Sequence, residues 1–114
     1  MRVAVIGCRD VPDYGILNEE IKTRLPQGCS EIVSGGAGGV DTAAKIISKE
    51  LNIPYTGIEP DYNQYGQSAP LIRNTKIVKY ADFVIAFWDY RSSGTRYTIG
   101  EAIRLGRQMV IVPL

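Results

Sequence analysis

Histidine is absent from this sequence of 114 residues, and its absence removes several classes of chemistry. A Ser-His-Asp triad, or any mechanism with a histidine general base, is excluded. Cysteine is scarce: Cys8 and Cys29 are too few for a disulfide framework, and with scattered carboxylates they make no metal-binding pattern. We therefore expect no metal and no cofactor, and any catalysis would need acid–base or electrostatic help from carboxylates.

Long apolar runs and an excess of one charge are also missing. No run approaches the ~18–20 residues of a membrane helix. Because Arg2–Ile6 already has the pattern of a strand, we expect no signal peptide before the fold. These features predict a cytoplasmic protein without a membrane partner. Thirteen basic and twelve acidic residues leave a net charge of +1, whereas a surface that follows phosphates usually shows a basic excess. The charge balance therefore argues against a nucleic acid as the partner.

Apolar runs without polar alternation predict buried parallel strands. Segments with helical spacing separate them, so strands and helices alternate along the whole chain. This order predicts one α/β domain of the Rossmann-like kind over residues 1–114, with a five-stranded parallel sheet in the order 3-2-1-4-5 and helices on both faces. The predicted strands are Val3–Ile6, Ile32–Ser34, a weaker Tyr55–Ile58, Phe83–Trp88 and Met109–Val112.

A glycine-rich loop joins the second predicted strand to the following helix. Glycines allow backbone amides to approach a phosphate closely, and the helix N-terminus adds favourable partial charge. The loop is neither a P-loop nor a dinucleotide fingerprint. A tight turn without a ligand is the alternative, but four glycines in five positions favour a ligand. The candidates are Ser34, Gly35, Gly36, Gly38 and Gly39.

Ligands of such sheets bind beyond the carboxyl ends of the strands, near the point where the strand order reverses. Gly7 and Arg9 follow the first strand, and Arg9 is predicted to bind a phosphate there. Arg73 and Asn74, which we place at the start of the third major helix, are predicted to do the same. A second anion cradle is predicted where the last helix begins, at Ser93, Gly94 and Thr95.

Two further groups of residues leave alternatives open. Asp41 either caps the second helix or accepts a hydrogen bond from a ribose hydroxyl. Four aromatic residues either stack on a base or pack in the core or a lid: Tyr62, Tyr65, Trp88 and Tyr90.

Several short motifs follow one another in a recognisable order. They are Gly7–Asp10, Val33–Asp41, Tyr65–Asn74, Ala81–Phe87 and Ser93–Thr95. This pattern resembles the YspA/YpsA-related branch of the SLOG superfamily nearly from end to end, with Cys8 where that branch usually has serine. The resemblance implies a Rossmann-like domain that binds a nucleotide or nucleotide-derived phosphorylated ligand, with homodimers common.

Relatives in this superfamily include cytokinin-activating phosphoribohydrolases, molybdenum-cofactor carrier proteins and DNA-processing protein A, which binds single-stranded DNA. The hydrolases carry a catalytic glutamate in Pro-Gly-Gly-x-Gly-Thr-x-x-Glu. Here Thr98 occupies that spacing, and Glu101 follows one helical turn later. Our first hypothesis is therefore the binding or sensing of a nucleotide. The alternative is cleavage of a nucleoside monophosphate at its N-glycosidic bond, assisted by Glu101 or Asp41, and single-stranded DNA binding ranks last.

Overall fold

Five parallel strands build one sheet in the computed structural model, which describes residues 1–114. In chain order they are β1 (Arg2–Gly7), β2 (Glu31–Ser34), β3 (Tyr55–Gly57), β4 (Phe83–Trp88) and β5 (Gln108–Pro113). Their order across the sheet is β3-β2-β1-β4-β5, and every neighbouring pair is parallel. The predicted α/β fold with strand order 3-2-1-4-5 is confirmed.

Helices cover both faces of the sheet, as predicted. They are α1 (Tyr14–Arg24), α2 (Val40–Glu50), α3 (Tyr62–Tyr65), α4 (Ala69–Tyr80) and α5 (Ser93–Arg104). The apolar sides of α1 and α2 enter one buried cluster, and those of α4 and α5 enter another on the opposite face. None of the helices combines the length and the apolar character that crossing a bilayer requires.

The central strand β1 shows why its sequence has no polar alternation. Val3 and Val5 pack in the cluster beneath α1 and α2, whereas Ala4 and Ile6 pack in the cluster beneath α4 and α5. All four side chains are almost completely buried. A strand that is covered on both faces needs apolar residues at every position.

The segment before α4 differs from the sequence interpretation. Residues 59–68 are predicted as a long irregular stretch, but the structure forms α3 and a 3₁₀ turn at Gly66–Ser68. Asp61 caps α3 by accepting a hydrogen bond from the Gln64 amide at 3.1 Å. The following helix α4 already begins at Ala69, with Pro70 in its first turn. Proline is tolerated there because the amides of the first turn have no partner within the helix. Arg73 therefore lies inside this helix rather than at its start.

The strand order reverses between β1 and β4, because the chain runs from β1 towards β3 on one side and from β4 to β5 on the other. The loops that follow β1 and β4 therefore diverge and leave a crevice between them. The loop after β1 also contacts the start of α2, since the Val40 amide donates to the Cys8 carbonyl at 3.2 Å. This contact brings the glycine-rich loop to the crevice.

Candidate functional site

An open cleft of about 440 Å³ lies beyond the carboxyl ends of the central strands. Its walls are the loop after β1, the glycine-rich loop, the first turns of α4 and the N-terminus of α5. Nine of the thirteen predicted ligand-binding residues line it: Gly7, Arg9, Gly35, Asp41, Arg73, Asn74, Ser93, Gly94 and Thr95. The sequence prediction thus leads to one place in the fold.

The other four predicted residues do not line the cleft, and all of them belong to the glycine-rich segment. Ser34 is completely buried, with its hydroxyl hydrogen-bonded to that of Tyr55. Gly36 and Gly39 have positive φ angles of 73° and 68°, which side chains rarely adopt. The backbone conformation therefore accounts for glycine at positions 36 and 39. Gly38 lies between them in the same turn.

Gly39 also allows two loops to touch. A Cβ atom at this position would collide with the backbone carbonyl oxygens of Cys8 and Arg9. The residue is the N-cap of α2 and offers no side chain to cap the helix. The sequence pattern predicts that the backbone at Gly39 approaches a phosphate. In the structure, the backbone at Gly39 instead approaches the loop after β1.

The N-terminus of α5 opens onto the cleft, and that of α2 adjoins it through Asp41. Neither the N-cap of α2, Gly39, nor the N-cap of α5, Ser92, makes a side-chain capping hydrogen bond. The first amide of α2, that of Val40, is already bonded to the Cys8 carbonyl, whereas the first amides of α5 lie at the cleft. Such amides have no partner within the helix, and together with the helix dipole they favour an anion. Gly94 leaves the space above the α5 N-terminus open, because a Cβ there would have no neighbour within 4 Å. The cleft can therefore hold an anionic group through backbone amides.

The two arginines of the cleft have different surroundings. Arg73 is only 8% exposed; its Nη1 donates to the Gly35 carbonyl at 2.6 Å and its Nε to the Asn74 side chain at 2.7 Å. It therefore supports the glycine-rich loop. Arg9 is exposed and forms no salt bridge in the structure. Its guanidinium is the cation of the cleft that remains available to a ligand.

Asp41 is a buried carboxylate beside these groups, with 7% of its surface exposed. It lies in the first turn of α2 and accepts a hydrogen bond from the Ala37 amide at 3.1 Å. Burial raises the pKa of Asp41 to about 6, against the opposing effects of the Ala37 amide, Arg73 and Arg9. The sequence leaves two roles open for Asp41, a helix cap or a ribose contact. The geometry favours a structural role, but the Asp41 carboxylate closes the glycine-rich loop through the Ala37 amide and does not cap α2.

Glu101, the candidate catalytic residue of the hydrolase alternative, lies outside the cleft. Its carboxylate accepts hydrogen bonds from Arg104 Nε at 2.6 Å, Thr75 Oγ1 at 2.8 Å and the Tyr97 hydroxyl at 3.2 Å. The Arg104 and Thr75 bonds lower the pKa of Glu101 to about 2. One turn closer to the N-terminus of α5, Thr98 does line the cleft, and its hydroxyl donates to the Gly94 carbonyl at 2.9 Å. The arrangement therefore gives Glu101 no contact with a ligand in the cleft.

The loop between β4 and α5 contributes lining residues that the sequence interpretation did not place in the binding set. Asp89 Oδ1 accepts the amides of Arg91 and Ser92, both at 2.8 Å, and both Asp89 and Ser92 line the cleft. Pro70 and Leu71 line the opposite wall. An Asp followed by a Ser three residues later is a sequence signal for such a turn. It does not indicate which side of the turn faces a cleft.

Cys8 lies at the floor of the cleft with only 5% of its surface exposed. Burial, followed by the negative charge of Asp89, raises the pKa of the Cys8 thiol. The thiolate is the nucleophilic form of cysteine, and these surroundings disfavour it. No group of three or more Cys, Asp or Glu side chains is arranged to hold a metal ion.

Comparison with models of protein families gives no match, and comparison with characterised proteins gives none either. Solved structures with the same fold include DNA processing protein A of Streptococcus pneumoniae, with a TM-score of 0.81 and 21% identity over 99% of this chain and 50% of that one. Another is DNA processing protein A of Helicobacter pylori, with a TM-score of 0.73 and 23% identity over 100% of this chain and 66% of that one. This chain thus spans half to about two thirds of these neighbours.

These structures share the Rossmann-like fold with this chain. The H. pylori structure concerns the single-stranded DNA binding mode of that protein. This finding overturns two expectations: that a nucleotide-type ligand comes first, and that the charge balance argues against a nucleic acid. The net charge is a sum over the chain, whereas a cleft can hold phosphates with backbone amides and a few cations.

Proposed function

We propose that residues 1–114 form a domain that binds single-stranded DNA through backbone phosphates in the cleft. The observation that carries the proposal is the N-terminus of α5, which has no side-chain cap and opens onto the same cleft that the exposed Arg9 lines. The fold is shared with DNA processing protein A, whose H. pylori structure concerns single-stranded DNA binding. This likeness favours a DNA phosphate as the anion in the cleft. Helix N-termini and backbone amides are common phosphate ligands in protein–DNA contacts.

The size of the cleft favours a single strand. A volume of about 440 Å³ is in the range of small-ligand sites, which hold one or a few chemical groups rather than a double helix. A phosphate and part of its nucleotide fit such a space, while the rest of a flexible strand continues over the surface. The four candidate residues outside the cleft then act indirectly, by shaping the glycine-rich loop.

The small number of cations predicts a weak dependence on salt. Arg9 and Arg73 are the only basic residues that line the cleft, and acidic residues share its wall. Arg73 is engaged with Gly35 and Asn74. If Arg9 alone neutralises one phosphate, the logarithm of the binding constant falls with the logarithm of salt with a slope of about −0.7 for a single strand. Binding that depends on amides in this way is compatible with a net charge of only +1.

The experiment is fluorescence anisotropy of a labelled oligothymidylate with the natural chain and with Arg9→Ala. We expect Arg9→Ala to weaken binding by roughly 10–100-fold, because a charge-assisted hydrogen bond to phosphate is lost. Lys49→Ala is the matched control, since it removes one exposed positive charge near the far end of α2. Unchanged affinity in Arg9→Ala, or an equal loss in Lys49→Ala, would contradict binding in the cleft.

A further inference from the structure

Tyr90 has an unusual backbone conformation and an unusual exposure. Only two residues other than glycine have a positive φ, Asn52 at 54° and Tyr90 at 63°. Asparagine visits this region readily, whereas an aromatic residue does so at a cost. The Tyr90 side chain is nevertheless 60% exposed, so burial of its ring does not compensate for that cost.

The surrounding contacts hold this loop in place. The Trp88 and Tyr90 rings lie with their centroids 4.7 Å apart at an interplanar angle of 40°, so one side of Tyr90 rests on Trp88. Trp88 Nε1 donates to the Ser92 carbonyl at 3.1 Å, and the Asp89 carboxylate accepts the amides that follow Tyr90. The ring is therefore presented to solvent by an organised turn, supported from one side only.

The position of Tyr90 connects it with the cleft. It stands in the chain between Asp89 and Ser92, both of which line the cleft, and shortly before the N-terminus of α5. A phosphate at that N-terminus brings its own or the next base to this rim. Strained residues that are held by their surroundings tend to occur at binding sites, and exposed aromatic rings bind the faces of bases.

We propose that Tyr90, backed by Trp88, is the stacking platform for a base of the strand whose phosphate occupies the cleft. This inference rests on the proposed DNA binding. Since every base has a π face, the platform accepts any base, and it favours a single strand, whose bases are free to unstack. Amides and Arg9 then bind the phosphate, and Tyr90 binds the nucleobase.

The test compares a labelled oligothymidylate with an oligomer of the same length that consists of abasic sites. We expect Tyr90→Ala to weaken oligothymidylate binding by roughly 5–100-fold, and Tyr90→Phe to retain the natural affinity. The abasic oligomer should bind the natural chain and Tyr90→Ala equally, because it has phosphates but no base. Tyr62→Ala is the control, since Tyr62 is similarly exposed at 58% but lies in α3 and not in the loop between β4 and α5.

Natural affinity in Tyr90→Ala, an equal loss on the abasic oligomer, or the same loss in Tyr62→Ala would overturn the platform while leaving DNA binding intact. Absence of binding by the natural chain to both oligomers would instead remove the proposed function, and the platform with it. A second variant, Tyr90→Gly, relieves the positive φ. We expect it to melt no lower than the natural chain and still to lose affinity for oligothymidylate. A lower melting temperature with retained affinity would overturn the inference.

Discussion

At the scale of single residues, the buried carboxylate of Asp41 makes the stability of the fold depend on pH. Its carboxylate closes the glycine-rich loop through the Ala37 amide, but the same burial penalises its charge. Because the pKa of Asp41 is raised to about 6 in the folded chain, the folded state binds this proton more tightly than the unfolded state does. Its contribution to stability is therefore greatest at low pH, and it declines as the pH rises from about 4 to 6.

Asp41→Asn removes the buried charge and keeps an oxygen that can accept the Ala37 amide. We expect the variant to be more stable than the natural chain at pH 8, by up to about 3 kcal/mol for a shift of about two pKa units. At pH 4 the two chains should be nearly equal, because Asp41 is then protonated in the folded state. Urea denaturation at both pH values measures this, and an advantage that is independent of pH would contradict it.

Most of the candidate site was predictable because it is made of loops at strand ends, and those positions follow from the strand pattern. Arg9 is an example: it comes two residues after a buried strand at the centre of the sheet. The individual roles were not predictable, since they depend on contacts between distant segments. Gly39 was assigned to a phosphate but is required by the backbone of Cys8 and Arg9, and Arg73 was assigned to a phosphate but supports Gly35.

Among the secondary-structure elements, α5 illustrates how one helix serves two purposes. Its N-terminus and Thr98 face the cleft, whereas Glu101 and Tyr97 lie beside Thr75 of α4. Residues three positions apart lie on similar sides of a helix but a turn apart along its axis, so a carboxylate displaced by one turn leaves the cleft. Glu101 therefore joins two helices.

Glu101→Gln should lower the melting temperature at pH 7 by a few degrees and leave oligonucleotide affinity unchanged. The pKa of Glu101 is lowered to about 2 in the folded chain, mainly by Arg104, so its ionised form stabilises the fold above the unfolded pKa. This contribution is lost as the pH falls from about 4.5 through 2. The difference between the two chains should shrink over that range in thermal melts. A loss of affinity without a loss of stability would place Glu101 in the binding site after all.

The strands and the longer helices were predictable from periodicity because burial imposes it: β4 is apolar throughout, and α2 has buried residues at positions 40, 43, 44 and 47. The short helix α3 was not predictable, because four residues are too few to show a helical periodicity. Its start also depends on the Asp61 cap. The onset of α4 was misplaced for a related reason. Its first turn contains Ala69 and Pro70, which fit a helix start as well as a loop.

At the scale of the whole molecule, the sheet has a free edge at β5, whose outer backbone groups have no partner strand. Ile111 on β5 is 39% exposed, and Ile103 on α5 is 68% exposed. Ile103 lies on the flank of α5 opposite Glu101, and therefore on the side away from α4. The segment from Gln108 to Leu114 has no charged residue, so two copies could pair here without like charges meeting.

The homodimer implied by the family resemblance stays a prediction, and this edge is where we expect it to form, by antiparallel pairing of two β5 strands. Ile111→Lys places a like charge on both copies near the twofold axis and should shift the chain to monomer. Ile46→Lys, on the outer surface of α2 and 57% exposed, is the control. Sedimentation velocity distinguishes the two states. A natural chain that sediments as a monomer, or a dimer that survives Ile111→Lys, would contradict this interface.

The phosphates of single-stranded DNA are proposed to bind the backbone amides at the N-terminus of α5, together with Arg9. Titration of the ¹⁵N-labelled chain with oligothymidylate, followed by the amide resonances, tests this binding mode most directly. We expect the largest shifts in Ser92–Arg96 and Gly35–Thr42, at the carboxyl ends of the strands. Shifts concentrated at the amino-terminal ends of the strands, around Gly28–Ser30, Asp82 and Arg107, would contradict this binding mode. A spectrum that does not change would contradict it as well.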